Sequence, residues 1–237
     1  MAAGDGTASD VAAVKPTVII PVLGEHDLLE RCVRSLNGHV SRLIIIDNGD
    51  ALKQATVCEW ISDAQVYVWR MPVALSVAAS WNLGIKASPF DDGWLLLNSD
   101  AWFPDGLPSE YVALSHPDRI VLAGAPPWCC AWIGSEVVRR VGLFCERFHP
   151  AYFEDNDYER RAHIVGMEVI HSDVNVMHEN SSTLARNPHY AMRNAKTFAN
   201  NQAFYDYRWA NLSADGLPHT HEWSLTTRIR NAWEILE

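Results

Sequence analysis

Residues 17–27 read TVIIPVLGEHD, residues 42–50 read RLIIIDNGD and residues 93–100 read GWLLLNSD. Each segment opens on an apolar run of strand length and stops abruptly at polar or turn-forming residues. Between the first two, Glu25–Leu36 carries Leu28, Leu29, Cys32, Val33 and Leu36 at helical spacing. Between the second and third lie a further strand, Gln65–Arg70 (QVYVWR), and a helical stretch, Val73–Ala87. Continuously apolar strands separated by helices specify a parallel sheet covered on both faces. In such sheets ligands bind beyond the carboxyl ends of the strands. The residues to watch are therefore Pro21–Glu25, Asp47–Asp50 and Asn98–Asp100, all in place for a nucleotide crevice. No G-x-G-x-x-G turn follows the first strand, which argues against a dinucleotide cofactor.

The second half is less regular. Ile120–Ala123 reads as a short strand, Trp128–Ile133 (WCCAWI) as an apolar run, and Ser135–Val141 as a short helix with Ser135 as its cap. Phe153–Val165 is expected to be a helix opening on acids, followed by short strands at Glu168–His171 and Val174–His178. From Ala185 the pattern is helical and aromatic, with Tyr190, Phe198, Phe204, Tyr205, Tyr207, Trp209, Trp223 and Trp233, and a break at Leu212–Pro218. The expected layout is a disordered stretch over 1–14, an α/β domain over 15–184 and a helical extension over 185–237. The α/β domain divides into a donor half, about 15–104, and an acceptor half, about 105–184. The extension is expected to serve self-association, making a homo-oligomer, or acceptor binding; a plain cover over the sheet is the alternative.

Composition narrows the function. A chain of 237 residues with 48% apolar content can bury a sizeable core. The net charge of −10 disfavours nucleic acid as the main partner, because binding to phosphate backbones draws on a basic face. No apolar run approaches the length of a membrane helix, and the N-terminus lacks the pattern of a secretory signal. The five cysteines, Cys32, Cys58, Cys129, Cys130 and Cys145, are odd in number and contain no C-x-x-C. They are expected to be buried thiols, and the location to be cytoplasmic.

Four blocks, in order, resemble the inverting glycosyltransferases of family 2, and the rhamnosyl- and galactofuranosyl-transferase branches in particular. They are TVIIPVLGE, LIIIDNGD, WNLGIKAS with WLLLNSD, and GLFCERFHPAYFEDNDYERRAHIVG with VNVMHENSS. The resemblance implies a GT-A fold, an α/β domain with a Rossmann-like, mostly parallel sheet. It implies Mn²⁺ or Mg²⁺ as cofactor, a UDP- or dTDP-sugar donor, and a glycan, a protein or another hydroxyl compound as acceptor.

The resemblance also implies roles. Pro21, Val22, Gly24, Glu25, Asp47, Asn82, Gly84, Asn98, Ser99 and Asp100 would bind the sugar nucleotide. Asp47 would accept a hydrogen bond from the pyrimidine N3–H; the plainer reading is an acid that starts a turn. Asp100 and His178 would hold the metal, although Asn98 replaces the first acid of the usual D-x-D pair. The plainer alternatives are a turn cap for Asp100 and a structural imidazole for His178. Asp155 would be the general base, with Glu154 and Asp157 holding the acceptor or positioning the helix. Acids are also favoured in any first helical turn. Two departures stand out: Trp81 occupies the place of a frequent arginine, and Cys145 that of an aspartate in G-x-F-D-E. Of the ten tryptophans, Trp102 and Trp128 lie closest to the motifs and are the candidates for sugar stacking. A catalytically inactive GT-A-like glycan- or nucleotide-binding module and a sugar nucleotidyltransferase are the rival functions. The latter should carry a basic, glycine-rich loop where PVLGEHD stands.

Overall fold

The computed structural model describes residues 15–49, 51–179 and 188–218, without the side chains of 188–190 and 193. The expectations for residues 1–14, for Trp223 and Trp233 and for the side chain of Tyr190 lie outside this range.

The chain opens with β1 (Thr17–Val22), α1 (His26–Arg34), β2 (Arg42–Asp47), α2 (Gln54–Cys58), β3 (Gln65–Arg70), α3 (Val77–Ala87) and β4 (Gly93–Leu97). It continues with β5 (Ala101–Trp102), α4 (Ser109–Leu114), β6 (Arg119–Ala123), β7 (Cys130–Gly134) and α5 (Ser135–Val141). The last elements are α6 (Glu154–Ile164), β8 (Glu168–His171), β9 (Met177–His178) and α7 (Pro188–Ala210). Seven strands form one sheet in the order β3-β2-β1-β4-β7-β6-β8. Among the neighbouring pairs, only those of β7 with β4 and with β6 are antiparallel. The sheet is thus mixed α/β and mostly parallel.

Successive strand residues point to opposite faces, and in β1 both faces are buried. Val18, Ile20 and Val22 join Leu29, Val33, Leu43 and Tyr111 on one side. Ile19 joins Ala78, Trp81, Ile85, Val137 and Tyr158 on the other. This is why the strand sequences read as unbroken apolar runs. Each buried Leu or Ile side chain contributes about 1.5–3 kcal/mol by leaving water.

Several boundaries differ from the sequence reading, each for a local reason. The third helix begins at Val77 rather than Val73, because the Ser76 hydroxyl caps it by accepting from the Ala79 N–H at 3.1 Å. The Val174–His178 strand shrinks to Met177–His178, and its start is taken up by a turn in which the Ser172 hydroxyl accepts from the Val174 N–H. In the apolar run over 128–133, Pro127–Cys129 form a single 3₁₀ turn before β7. Cys32, Cys129, Cys130 and Cys145 are buried as expected, but Cys58 is exposed.

Candidate functional site

The carboxyl ends of β1, β2 and β4 meet at one edge of the sheet, where two loops touch. The Asn48 N–H donates to the Val22 carbonyl at 2.8 Å. A Cβ on Gly49 would lie 2.8 Å from the backbone nitrogen of Gly24, so glycine is required there. Gly24 (φ 78°) and Glu25 (φ 54°) both adopt left-handed backbone and turn the chain from β1 into α1. Pro21, Gly24 and Glu25 are half-buried at this edge, whereas Val22 is buried in the core.

Asp47 has no exposed surface, and its two oxygens accept the N–H groups of Gly49 and Leu52, each at 2.9 Å. It acts as the clamp of the turn that follows β2. These bonds fit the plainer of the two readings, an acid that starts a turn: a carboxylate held this way shapes the loop. Asn48 performs a second linking task, accepting from the Leu75 N–H at 2.8 Å and donating to the Ser80 hydroxyl at 3.2 Å.

Two further candidates, Asn82 and Gly84, lie in α3 and make structural contacts there. Asn82 is buried, and its amide bonds both ways with Phe144, to the carbonyl and from the N–H, and donates to Glu146, all at 2.9 Å. Its role is to tie α3 to the 142–146 loop, so a diphosphate would find no free amide there. Gly84 is a packing glycine: a Cβ would lie 2.7 Å from the Ile19 side chain.

At the end of β4 the structure brings Asp100 and His178 together. β5 and β9 pair antiparallel, with Ala101 opposite His178. This pairing brings the His178 Nε2 to 2.9 Å from the Asp100 Oδ1 and to 3.4 Å from the Asn98 Nδ2. The side chains of His178 and Asp100 are only 4% and 11% exposed. His178 Nδ1 is buried with no hydrogen-bond partner. Asn98 and Ser99 are half-buried beside them.

Neither tryptophan offers a bare ring. The Arg31 guanidinium lies 3.6 Å over the Trp102 ring and pairs with Glu179. Trp128 is buried edge-on against Phe144 and Tyr158, and its indole N–H donates to Glu159 at 2.7 Å.

The three acids in the first turn of α6 take distinct positions. Asp157 has no exposed surface and sits between two buried arginines. It accepts from Arg161 Nε at 2.9 Å and from Arg208 Nε at 2.5 Å and Nη2 at 3.1 Å. Of the two roles expected for it, holding the acceptor or positioning the helix, these contacts fit the second: Asp157 anchors α6 to α7. Glu154 is buried, its Oε2 has no hydrogen-bond partner, and burial, aided by the Asp155 charge, pushes its carboxyl well up. Asp155 is half-buried and accepts from the Asn156 N–H at 2.8 Å. Burial raises its carboxyl above the usual range, opposed by backbone N–H groups.

The backbone that presents these acids is strained. Tyr152 (φ 78°) and Phe153 (φ 74°) are consecutive non-glycine residues in left-handed backbone, a conformation that costs about 1–3 kcal/mol per residue. The sequence reading missed the groups that hold them, Asn201 and Arg208 on α7. Neither stands out in sequence, because the same helix also carries Arg193, Asn194, Lys196, Asn200, Gln202 and Asp206.

Comparison with known proteins follows from this architecture. No curated protein matches the chain significantly. Among solved structures, TarS of S. aureus is similar at a TM-score of 0.54 and 12% identity over 69% of this chain and 36% of that protein. TarS 1–349 in complex with UDP gives 0.52 and 13% over 68% and 61%. GalNAc-T7 with UDP, GalNAc and Mn²⁺ gives 0.59 and 12% over 71% and 44%. The chain therefore spans between 36% and 61% of the length of these proteins, and the likeness is one of fold. The sequence profile of glycosyl transferase family 2 matches residues 17–136, half of the 237-residue chain, from β1 into α5. With that match over a mostly parallel α/β sheet, the chain belongs to glycosyl transferase family 2.

Proposed function

We propose that the chain is a metal-dependent, inverting glycosyltransferase that moves a sugar from a UDP- or dTDP-sugar to a hydroxyl acceptor, with Asp155 as general base. The observation that carries the reading is the Asp100–His178 pair, brought to 2.9 Å at the carboxyl edge of a family 2 sheet. The structures of similar fold that contain UDP, one of them also Mn²⁺, support the donor and the ion. The LNSD and F-E-D-x-D patterns support a rhamnosyl- or galactofuranosyl-transferase-like branch.

The donor set fits a divalent ion. One carboxylate oxygen and one imidazole nitrogen face each other, both nearly buried, and the other ring nitrogen has no partner. Among the described residues no cluster of three or more His, Cys, Asp or Glu could hold a metal alone. The protein would supply two ligands, and the diphosphate and water the rest. A bound Mn²⁺ or Mg²⁺ would neutralise charge developing on the departing diphosphate.

This chain's residues do the remainder. Asp47 fixes the turn beside the nucleotide, and Gly24 and Gly49 keep the two loops close. Asp155, as carboxylate, takes the acceptor hydroxyl proton while the acceptor oxygen bonds to the anomeric carbon and the bond to the diphosphate breaks. Glu154 lies beside it as a buried neighbour on the acceptor side. The acceptor half and the helical extension are read as one acceptor-side unit. No helix among the described residues is long and apolar enough to cross a membrane.

The direct test is nucleotide binding with and without metal. UDP is expected to bind tighter with Mn²⁺ than in EDTA, and Asp100→Ala to weaken binding at least about tenfold, as loss of one charged ligand implies. Equal UDP affinity in EDTA, or full activity there, would remove the metal role. A thermal-shift panel of UDP, dTDP and GDP should rank UDP first and dTDP second. A ligand at a hundredfold excess over Kd stabilises the fold by about 2.7 kcal/mol. A shift with GDP alone would overturn the pyrimidine assignment. Release of UDP from UDP-sugars separates an active enzyme from an inert binding module.

A further inference from the structure

We infer that helix α7 is a brace for the loop that presents Asp155, with Asn201 and Arg208 as positioning residues for the reaction. The inference rests on the reading of Asp155 as base, and goes beyond it by assigning a task to the C-terminal helix.

The loop over 149–153 makes several of its recorded polar contacts with a single side chain. The Asn201 amide donates to the Ala151 carbonyl at 2.8 Å and to the Tyr152 carbonyl at 3.3 Å, and accepts from the His149 N–H at 3.4 Å. Asn201 is itself only 5% exposed. These bonds span the residues immediately before the left-handed pair Tyr152 and Phe153.

Aromatic rings from the same helix grip that pair. Phe198 packs on Tyr152 at 5.4 Å and on Phe153 at 5.0 Å, and Tyr205 packs on Phe153 at 5.7 Å. Two turns further on, Arg208 reaches Asp157 inside α6. The helix thus holds the segment around Glu154 and Asp155 from both sides: the loop before it through Asn201, the helix after it through Arg208.

A strained conformation persists only when its surroundings over-determine it. Without Asn201 the two left-handed residues can relax, and Asp155 swings with them. A displacement of the order of an ångström at a reacting group is enough to cost a large part of the rate. The donor edge, built from β1, β2 and β4, makes none of the recorded contacts with Asn201, so donor binding should be spared.

The experiment compares Asn201→Ala with Asn200→Ala, an exposed neighbour on the same helix. The readout is UDP release by hydrolysis from whichever of UDP-glucose, UDP-galactose and UDP-N-acetylglucosamine the wild type cleaves fastest, with water as acceptor. Asn201→Ala is expected to lose at least about tenfold in kcat, with UDP Kd unchanged. Its acid limb in kcat/KM should move to lower pH, because a loosened loop lets water reach Asp155. Amides of the 151–157 segment should exchange faster while those of β1 and β2 do not. Asn200→Ala should match the wild type in all four. Should Asn201→Ala fail to bind UDP, Arg208→Lys serves instead: it keeps the charge and loses the two-pronged contact, and a smaller drop in kcat is expected. A wild-type kcat and pH profile in whichever of these variants binds UDP overturns the inference. If Asp155→Asn hydrolyses donor at the wild-type rate, the base assignment itself has failed, and that outcome is distinct.

Discussion

Asp157→Ala should be the most destabilising single change in the acceptor half. The substitution removes a carboxylate from a fully buried site and leaves the Arg161 and Arg208 guanidinium groups, each with 3% side-chain exposure, without it. Breaking a buried ion pair from one side typically costs about 3–5 kcal/mol, because the remaining charge is left in a poorly polar setting. Arg161 keeps its bonds to the Val141 and Leu143 carbonyls, which tempers the loss on that side. In a domain of this size the midpoint of thermal unfolding should fall by about 10 °C. Urea denaturation of the two proteins gives the comparison. A variant that keeps its stability but loses acceptor turnover would mean that Asp157 reaches substrate after all.

Asp155→Asn should have the largest effect on catalysis. The amide keeps the size and the bond from the Asn156 N–H but takes no proton. General-base assistance is worth about 10²–10⁴ in rate, so the variant should lose at least about 10²-fold in UDP release, with little change in UDP Kd. The pH dependence has a definite sign. The carboxylate is the active form, and burial raises its pKa above the ordinary range. The acid limb of kcat/KM should therefore lie at higher pH than an exposed aspartate would give, and should be absent from the residual rate of the variant. Linkage gives a second sign. A group with a raised folded pKa contributes stability below its unfolded pKa and loses it as pH rises through the folded one. Once ionised above its folded pKa, Asp155 therefore opposes folding, and in that range Asp155→Asn should be at least as stable as the wild type. Less than a tenfold loss in rate would place the base elsewhere, with Glu154 next in line. Loss of UDP binding together with rate would make Asp155 a residue of the donor site or the fold.

The sheet was legible because its chemistry is local. A strand buried on both faces must be apolar at every position, and TVIIPV, RLIIID and GWLLL satisfy that without reference to anything distant. Asp100 and His178 are each marked by a short strand ending at a polar group, and the structure brings them together. Orientation is not legible in the same way. Asn82 and Asp47 are polar residues at the sheet edge, and in the structure they bond the backbone of the 142–146 loop and of the 47–52 turn. Sequence spacing shows where a polar side chain stands, and only the neighbours show whether its hydrogen-bonding capacity is already taken. For Asp157 the two expected roles could not be separated from sequence, because its partner Arg208 lies 51 residues away, beyond the reach of any local pattern. The reversed strand β7 is likewise silent in sequence, since CAWIG is as apolar as its parallel neighbours.

The distance between Asp157 and Arg208 has a consequence for how the molecule is made. Synthesis runs from the N-terminus, and domains begin to fold as they emerge. The strands β1 to β4 can pair with one another as soon as residue 97 is clear, whereas the pairing of β4 with β7 waits for residues 130–134. The Tyr152–Phe153 bend has to wait for Asn201, and the Asp157 anchor for Arg208. A nascent chain would then hold the paired β1–β4 sheet edge well before the start of α6 is fixed in place. That segment would be set only when one helix docks from 50 residues away.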